Sequence, residues 1–397
     1  MSMENSFTGW EVEGSNDKKT NASLAEQKYL SHLVTLDIEV PDAKLLPKGI
    51  LFENLIRFKI FIGDVWSCCE NCETIESLKL NKLNTSLHSM DGISKLLKRA
   101  KDLYLSELSG ANHVLSELDR EGFPALKHFH VESSPKIQYI MHSVEQVPGN
   151  PVFPALESLY LTKLINLQEV CHGQLPPGSF GYLRIVKVDD CDGIKCLFSI
   201  SLARSLPQLQ EIEIKRCRVM DVVEQYGKEL KDGSDVADTI LFPQLRSLTF
   251  QHLPKLLNFC SEVKALPSIY VSMKELRSTQ VKSEGICLEG EPGTHILLSN
   301  KQEIWHCQIP SESFGNLHSL HVENCASLLK FLPSFLLSSL QNLEVVILKN
   351  RDLLEEVFDL EGAVHGFLSL NKLSIKLPRL KTKVLSGKKY LKQLRNG

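Results

Sequence analysis

Long apolar runs are missing from this 397-residue chain. Nowhere do about 18 apolar residues follow one another, so no segment can span a membrane as a helix. Residues 1–10 have neither the basic stretch nor the apolar core of a secretory leader, which places the expected location in the cytoplasm. A dominant charge sign is missing too. Lys and Arg number 45 and Asp and Glu 48, a formal net charge of −3, which argues against nucleic acid or an anionic membrane as partner. The motifs of common chemistry are also absent. There is no Gly-x-x-x-x-Gly-Lys-Ser/Thr phosphate cradle, no His-Glu-x-x-His, no Gly-x-Ser-x-Gly and no Ser-His-Asp spacing. No cofactor, resident metal or catalytic residue is therefore expected, and the chain reads as a non-enzyme. The 11 cysteines, without a leader, are expected to stay reduced thiols, and the sequons at Asn21 and Asn84 are expected to be chance matches.

What the chain has instead is a repeat. Leu-x-x-Leu-x-Leu returns twelve times, with first positions at Leu33, Leu55, Ile75, Ala100, Leu126, Leu156, Leu183, Leu209, Leu245, Leu317, Leu343 and Leu370. A Phe stands three residues earlier in many copies: Phe52, Phe123, Phe153, Phe180, Phe242, Phe314 and Phe367, with Leu206 and Leu340 replacing it in two. Apolar residues alternate at the end of each copy, as at Leu159 and Leu161, which is strand periodicity. A fixed repeat makes a stack in which neighbours bury faces that no unit can bury alone. The expectation is one right-handed α/β solenoid with parallel strands, and a column of Phe rings on the side away from them.

Each unit continues past its strand. A second buried site follows, filled by Cys191, Cys217, Cys325, Leu164 or Leu253. Apolar pairs come three and six residues later, such as Ile194 with Leu197 and Met220 with Val223. Cys at this site reads as a small buried hydrophobe with a weak donor, since stacked repeats set these thiols in a row rather than around a metal. The same restraint applies to Cys68, Cys69 and Cys72, a lone cluster that reads as a turn. His128 and His130 share a strand without an evident third ligand.

The chain divides into a partial repeat and polar loop at 1–29, repeats at 30–260, an irregular insertion at 261–312 that could hide one degenerate repeat, and repeats to the C-terminal end at 313–397. Residues 227–238 read as a loop lengthening one unit. Strand residues that alternate with the buried ones face outward. Among them Tyr104, His128, His130, Tyr160, Lys187, Glu213 and Lys215 lie on consecutive units without a large insertion, and they form the candidate partner surface.

Three phrases carry a family resemblance: Leu164-Ile165-Asn166-Leu167-Gln168-Glu169-Val170-Cys171, Val188-Asp189-Asp190-Cys191-Asp192-Gly193-Ile194-Lys195-Cys196-Leu197-Phe198, and Leu353-Leu354-Glu355-Glu356-Val357-Phe358-Asp359. With the Phe-Pro-x-Leu entry and the irregular spacing, they resemble the leucine-rich repeats of plant coiled-coil nucleotide-binding disease-resistance proteins. The resemblance implies a leucine-rich-repeat horseshoe with a parallel sheet on its concave face and an irregular convex side. It also implies a recognition or regulatory module of an intracellular immune receptor. Its protein partner would be a pathogen effector, a host target or the receptor's own nucleotide-binding domain.

The departures are the missing phosphate loop and coiled coil. Residues Met1 to Phe7 resemble the second half of a repeat strand, so the chain is expected to start inside a repeat, as a truncated gene product or a partial sequence. Without a polar cap, the isolated chain is expected to self-associate. A non-signalling remnant and a generic adaptor, such as the substrate arm of a ubiquitin ligase, stay open as alternatives, although no F-box-like segment is present. An extracellular receptor would need a leader, a steady 24-residue step and repeated Gly-x-Ile-Pro, and the sequence has none of these.

Overall fold

The structure is a computed structural model and describes residues 32–42, 45, 52, 54–63, 76–82, 91–108, 123–142, 151–173, 175–224, 242–260, 313–325, 330–332, 336, 339–349, 356–359, 372–376 and 383–386. In chain order the strands are β1 (Thr35–Val40), β2 (Arg57–Ile62), β3 (Glu76–Asn81), β4 (Asp102–Ser106), β5 (His128–Glu132), β6 (Tyr139–His142), β7 (Ser158–Thr162), β8 (Glu169–His172), β9 (Ile185–Asp189), β10 (Cys196–Ser199), β11 (Glu211–Lys215), β12 (Asp221–Glu224), β13 (Ser247–Gln251), β14 (Asn258–Cys260), β15 (Ser319–Glu323), β16 (Lys330–Leu332), β17 (Val345–Lys349), β18 (Glu356–Asp359), β19 (Lys372–Lys376) and β20 (Lys383–Ser386). Two short helices are described, α1 (Asp91–Leu97) and α2 (Ile200–Arg204).

Twelve strands, one from each repeat copy, form a single parallel sheet in the order β1-β2-β3-β4-β5-β7-β9-β11-β13-β15-β17-β19. The alternation in the sequence becomes two inward rows. One runs Ile38, Ile60, Leu78, Leu103, Phe129, Leu159, Val186, Ile212, Leu248, Leu320, Val346, Leu373. The second lies two residues further along each strand, from Val40 through Leu161 and Val188 to Leu348. From Leu78 to Val346 the first row is at most 1% exposed, and each such side chain is worth about 1.5–3 kcal/mol. β13 pairs directly with β15, so the sheet crosses the 261–312 interval without a strand from it.

The anchors Leu33 and Leu55 are out of phase with the rest. Phe58 stands opposite Glu76 and Lys59 opposite Ser77, a step of two residues between β2 and β3. Because side chains alternate with period two, the step keeps inward residues inward. Gly63 ends β2 at φ +113°, and a Cβ there would lie 2.4 Å from the Asn81 carbonyl oxygen, so only glycine fits this crossing.

Left-handed residues fix the entry of four strands of the long sheet and the exit of eight. At entry, Phe153, Phe180, Phe242 and Phe314 adopt φ of 49–64°. The amide three residues on closes a turn to the Phe carbonyl, as from Leu156 to Phe153 at 3.3 Å and from Leu183 to Phe180 at 3.0 Å. Pro154 and Pro243 occupy the second position of such turns, which suits their fixed φ. At exit, Lys82, Glu107, Ser133, Lys163, Asp190, Arg216, His252 and Asn324 are left-handed as well. Their amides point along the stack to the last strand residue of the next unit, for example Lys163 to Asp189 at 2.9 Å.

The Phe rings do form a spine. Phe153 lies 5.9 Å from Phe123 and 5.3 Å from Phe180. At the next unit Leu206 interrupts the series, and Phe198 of β10 supplies the ring, 5.8 Å from Phe242. Phe259 of β14 then links Phe242 at 6.1 Å to Phe314 at 5.1 Å. Phe367 lies outside the described residues.

The side opposite the long sheet is more regular than expected. It carries short parallel ladders, β6-β8, β10-β12-β14 and β16-β18-β20. The apolar pairs past each strand feed these ladders: Ile194 and Leu197 are buried. Met220 is the exception. It is 39% exposed, and Val219 and Val222 occupy the core instead. α2 is capped by the Ser199 hydroxyl, which accepts the Leu202 amide at 3.3 Å.

Candidate interaction surface

The outward side chains of the long sheet fall into three rows. Tyr104, His130, Tyr160, Lys187 and Glu213 are register partners in the middle row. His128 stands in the first row beside Asp102 and Ser158, and Lys215 in the third beside Asp189 and Gln251. All seven candidates therefore share one face, but its parts differ in character.

From β2 to β7 the middle row is an aromatic stack. The Lys79 ammonium sits 4.5 Å from the Phe61 ring centre and 4.8 Å from that of Tyr104. His130 lies 4.0 Å from Tyr104 and 4.2 Å from Tyr160, nearly parallel to both. Burial, helped by the charges of His128 and Lys79, brings the His130 imidazole down to about 3, so the ring is neutral in the stack. Facing outward does not mean facing water here. Tyr104 is 3% exposed, and its outward neighbours Ser77, Lys79, Asn81, Asp102 and Ser106 are buried too. Tyr104 and its neighbours are thus packing groups, while Tyr160, half-buried, opens the accessible part of the row. Lys79 of β3 and Phe61 of β2 complete the stack and were not singled out in the sequence; only the Leu55 unit that carries Phe61 is out of phase.

From β9 to β11 the face is a charge lattice. The Lys187 ammonium is 2.8 Å from Glu211 and 3.5 Å from Glu213, while Lys215 pairs with Glu213 and Arg216 with Asp189. Partial burial opposes the charge on Lys187, yet Glu211 and Glu213 hold its pKa above the ordinary range. Glu213 is likewise desolvated, and Lys215 and Lys187 still keep its carboxyl low. Burial wins at Asp189, whose pKa is raised despite Arg216 and Lys215.

Further on, Gln251, His321, Glu323 and Lys349 form a second cluster. Glu323 accepts from Lys349 at 3.2 Å, from Gln251 at 3.4 Å and lies 3.3 Å from His321. β17 adds Val345 and Ile347 to the outward face.

Behind the strand exits runs a polar ladder that sequence reasoning only half resolved. The Leu164 amide donates to the Cys191 sulfur and the Cys191 amide to the Cys217 sulfur, each at 3.4 Å. The thiols donate in turn to their own strands: Cys191 to the Asp189 carbonyl at 3.4 Å and Cys217 to that of Lys215 at 2.9 Å. Ser134 takes the same place two units before Cys191, accepting from the Leu108 amide at 3.1 Å and donating to the Glu132 carbonyl at 2.9 Å. Hydrogen bonding with Cys217 and burial push the Cys191 thiol far up, and burial pushes Cys325 up to about 12, so both keep their donor proton. These residues are hydrogen-bonding links as well as packing groups.

Among the described residues, no group of three His, Cys, Asp or Glu side chains is placed to hold a metal ion. His128 lies 4.0 Å from the Asp102 carboxylate. No helix among them is long and apolar enough to cross a membrane. The Cys68–Cys72 cluster, the loop at 227–238 and the stretch at 262–311 lie outside the described residues.

Comparison with known proteins follows the same lines. The family model described as "Plant disease resistance protein RPS2-like, leucine-rich repeats" matches residues 155–287 and 293–395, more than half of the chain. A curated protein of Arabidopsis thaliana, "Disease resistance protein At4g27190", is 25% identical over 275 residues, which cover 66% of this chain and 26% of that protein. The chain thus spans about a quarter of the length of this relative. No solved structure matches. The chain belongs to the leucine-rich repeats of plant disease resistance proteins like RPS2.

Proposed function

From that membership we propose that the chain is the protein-recognition or regulatory module of an intracellular plant immune receptor carrying a nucleotide-binding domain. It acts in the cytoplasm, by binding and without catalysis or a cofactor of its own. The observation that carries this reading is the outward face. An unbroken twelve-stranded sheet sets Tyr160, Lys187, Glu213 and Lys215 side by side on one surface. Half-buried aromatic and charged groups on a rigid platform suit a protein partner, with Tyr supplying area and the charges selecting by complementarity. The five buried cysteines described are free thiols, in keeping with a reducing compartment. Parallel crossovers are right-handed in nearly all proteins, which supports a right-handed coil with this face on its concave side. The partner is a pathogen effector, a host protein that an effector alters, or the receptor's own nucleotide-binding domain.

The test uses a full receptor that carries these repeats, expressed in plant cells. Tyr160→Ala combined with Lys187→Glu is expected to abolish or deregulate the pathogen response at normal protein level. An unchanged response would remove the outward face between β7 and β11 as the recognition surface.

A further inference from the structure

The outward face changes character again at β17, where an apolar pair stands among cations. Val345 and Ile347 are half-buried on the water-facing side. Their register partners are Ser319 and His321 on one side and Lys372 and Ser374 on the other. Lys372 is exposed and, among the described residues, makes no ion pair. Lys349 lies at the far end of β17, with one carboxylate, Glu323, at 3.2 Å. Glu323 is already shared with His321 and Gln251. The register partner of Lys349 at position 376 is again a lysine. The sequence adds to this bias: residues 372–397 contain nine Lys and Arg and no Asp or Glu. The β9–β11 lattice differs, because there Lys187 and Lys215 are matched by Glu211 and Glu213.

We propose that the outward patch formed by Val345, Ile347, Lys349 and Lys372 binds an extended acidic segment of a partner protein, with carboxylates flanking an apolar side chain at alternate residues. The proposal rests on the interaction reading above and names the chemistry of the partner. Lys372, Ile347 and Lys349 occupy successive outward rows, each two residues apart along the strands. Two residues of extended chain advance about 6.6 Å, so a Glu-x-Leu-x-Glu segment presents its side chains at the same interval. The leucine covers Ile347 while the carboxylates meet Lys372 and Lys349. The apolar centre distinguishes this site from a phosphate-binding stripe, which needs several cations along a backbone and no greasy pair between them. A second copy of the patch is repelled by its own lysines.

The experiment is fluorescence anisotropy on the purified chain with a labelled peptide repeating Glu-Ser-Leu-Ser-Glu. Comparison probes are the Gln-Ser-Leu-Ser-Gln and Glu-Ser-Ser-Ser-Glu peptides, phosphatidylserine vesicles and a duplex RNA. Binding is expected for the first peptide, with affinity falling as salt rises. Lys372→Glu and Ile347→Asp are each expected to weaken it about tenfold or more. Tyr160→Ala with Lys187→Glu is expected to leave it unchanged. Both patch positions are solvent-facing, and circular dichroism checks that the variants fold. Equal binding of the glutamine peptide, insensitivity to Lys372→Glu, or a preference for vesicles or RNA overturns the proposal. If the peptide fails while Tyr160→Ala with Lys187→Glu still abolishes the pathogen response, this patch is wrong and the interaction reading stands. If peptide binding behaves as expected but patch and β7–β11 variants alike leave the response unchanged, the patch exists and the interaction reading falls.

Discussion

The backbone amide of Cys191 donates to the Cys217 sulfur of the next unit at 3.4 Å, and the Cys217 thiol donates to the carbonyl of its own Lys215 at 2.9 Å. One side chain therefore satisfies a buried amide in one unit and a strand carbonyl in another. Cys217→Ala keeps the small apolar volume and orphans the Cys191 amide, at a cost of about 1–3 kcal/mol. Cys217→Ser restores donor and acceptor and should recover most of that loss. Urea unfolding of both variants checks the order, and equal stability of Ala and Ser would reduce the ladder to packing alone.

His130 makes a pH prediction. Its folded pKa, about 3, lies below the ordinary histidine value of 6.5. The unfolded chain then binds the extra proton between those values, so stability rises with pH across this window. The contribution is complete above about pH 6.5 and is lost as pH falls toward 3. His130→Phe, which keeps a ring between Tyr104 and Tyr160, should flatten the stability profile between pH 4 and 6. Nuclear magnetic resonance should show the His130 ring not titrating above pH 4. A midpoint near 6 would mean the stack opens to water.

The inward rows were legible because alternation every two residues survives irregular loops, and Leu159, Val186 and Ile212 stand in register as their phase demands. The outward rows were legible in position but not in exposure. Phase says that Tyr104 faces away from the core, yet it cannot say that Tyr104 is buried there, since burial on that face depends on contacts far along the sequence. Ser134 was readable in principle, eight residues after Leu126 as Cys191 is after Leu183, but a hydroxyl at an apolar site does not announce itself as a thiol's equivalent. Met220 misled because one residue of backbone offset swaps it with Val219.

Gly193 gives a test of stacking distance. A Cβ on it would lie 2.5 Å from the Ile165 carbonyl oxygen and 2.9 Å from that of Leu167, both in the preceding unit. The obstruction is backbone, so neither side can yield without parting the turns. Gly193→Ala should destabilise the chain by about 1–3 kcal/mol, in the range of overpacked cores. Hydrogen exchange should speed up locally in β8 and β10. No change in unfolding would mean that the turns sit further apart.

The last prediction concerns the Phe spine where it loses its regular ring. Leu206 holds the position that Phe180 and Phe242 hold in the flanking units, and Phe198 enters from β10 to stand 5.8 Å from Phe242. Both Leu206 and Phe198 are buried. Phe198→Ala should leave a cavity and cost about 3–5 kcal/mol. Leu206→Phe restores the repeat motif and would look harmless by sequence, yet Leu206 is only 1% exposed in a core that Phe198 also fills, so it should cost about 1–3 kcal/mol. Combining Leu206→Phe with Phe198→Leu returns the total volume close to that of the natural pair, and the double variant should be more stable than Leu206→Phe alone. Urea denaturation of the three variants measures this coupling. Strict additivity would show that the two side chains do not compete for one space and that the spine is not continued by Phe198.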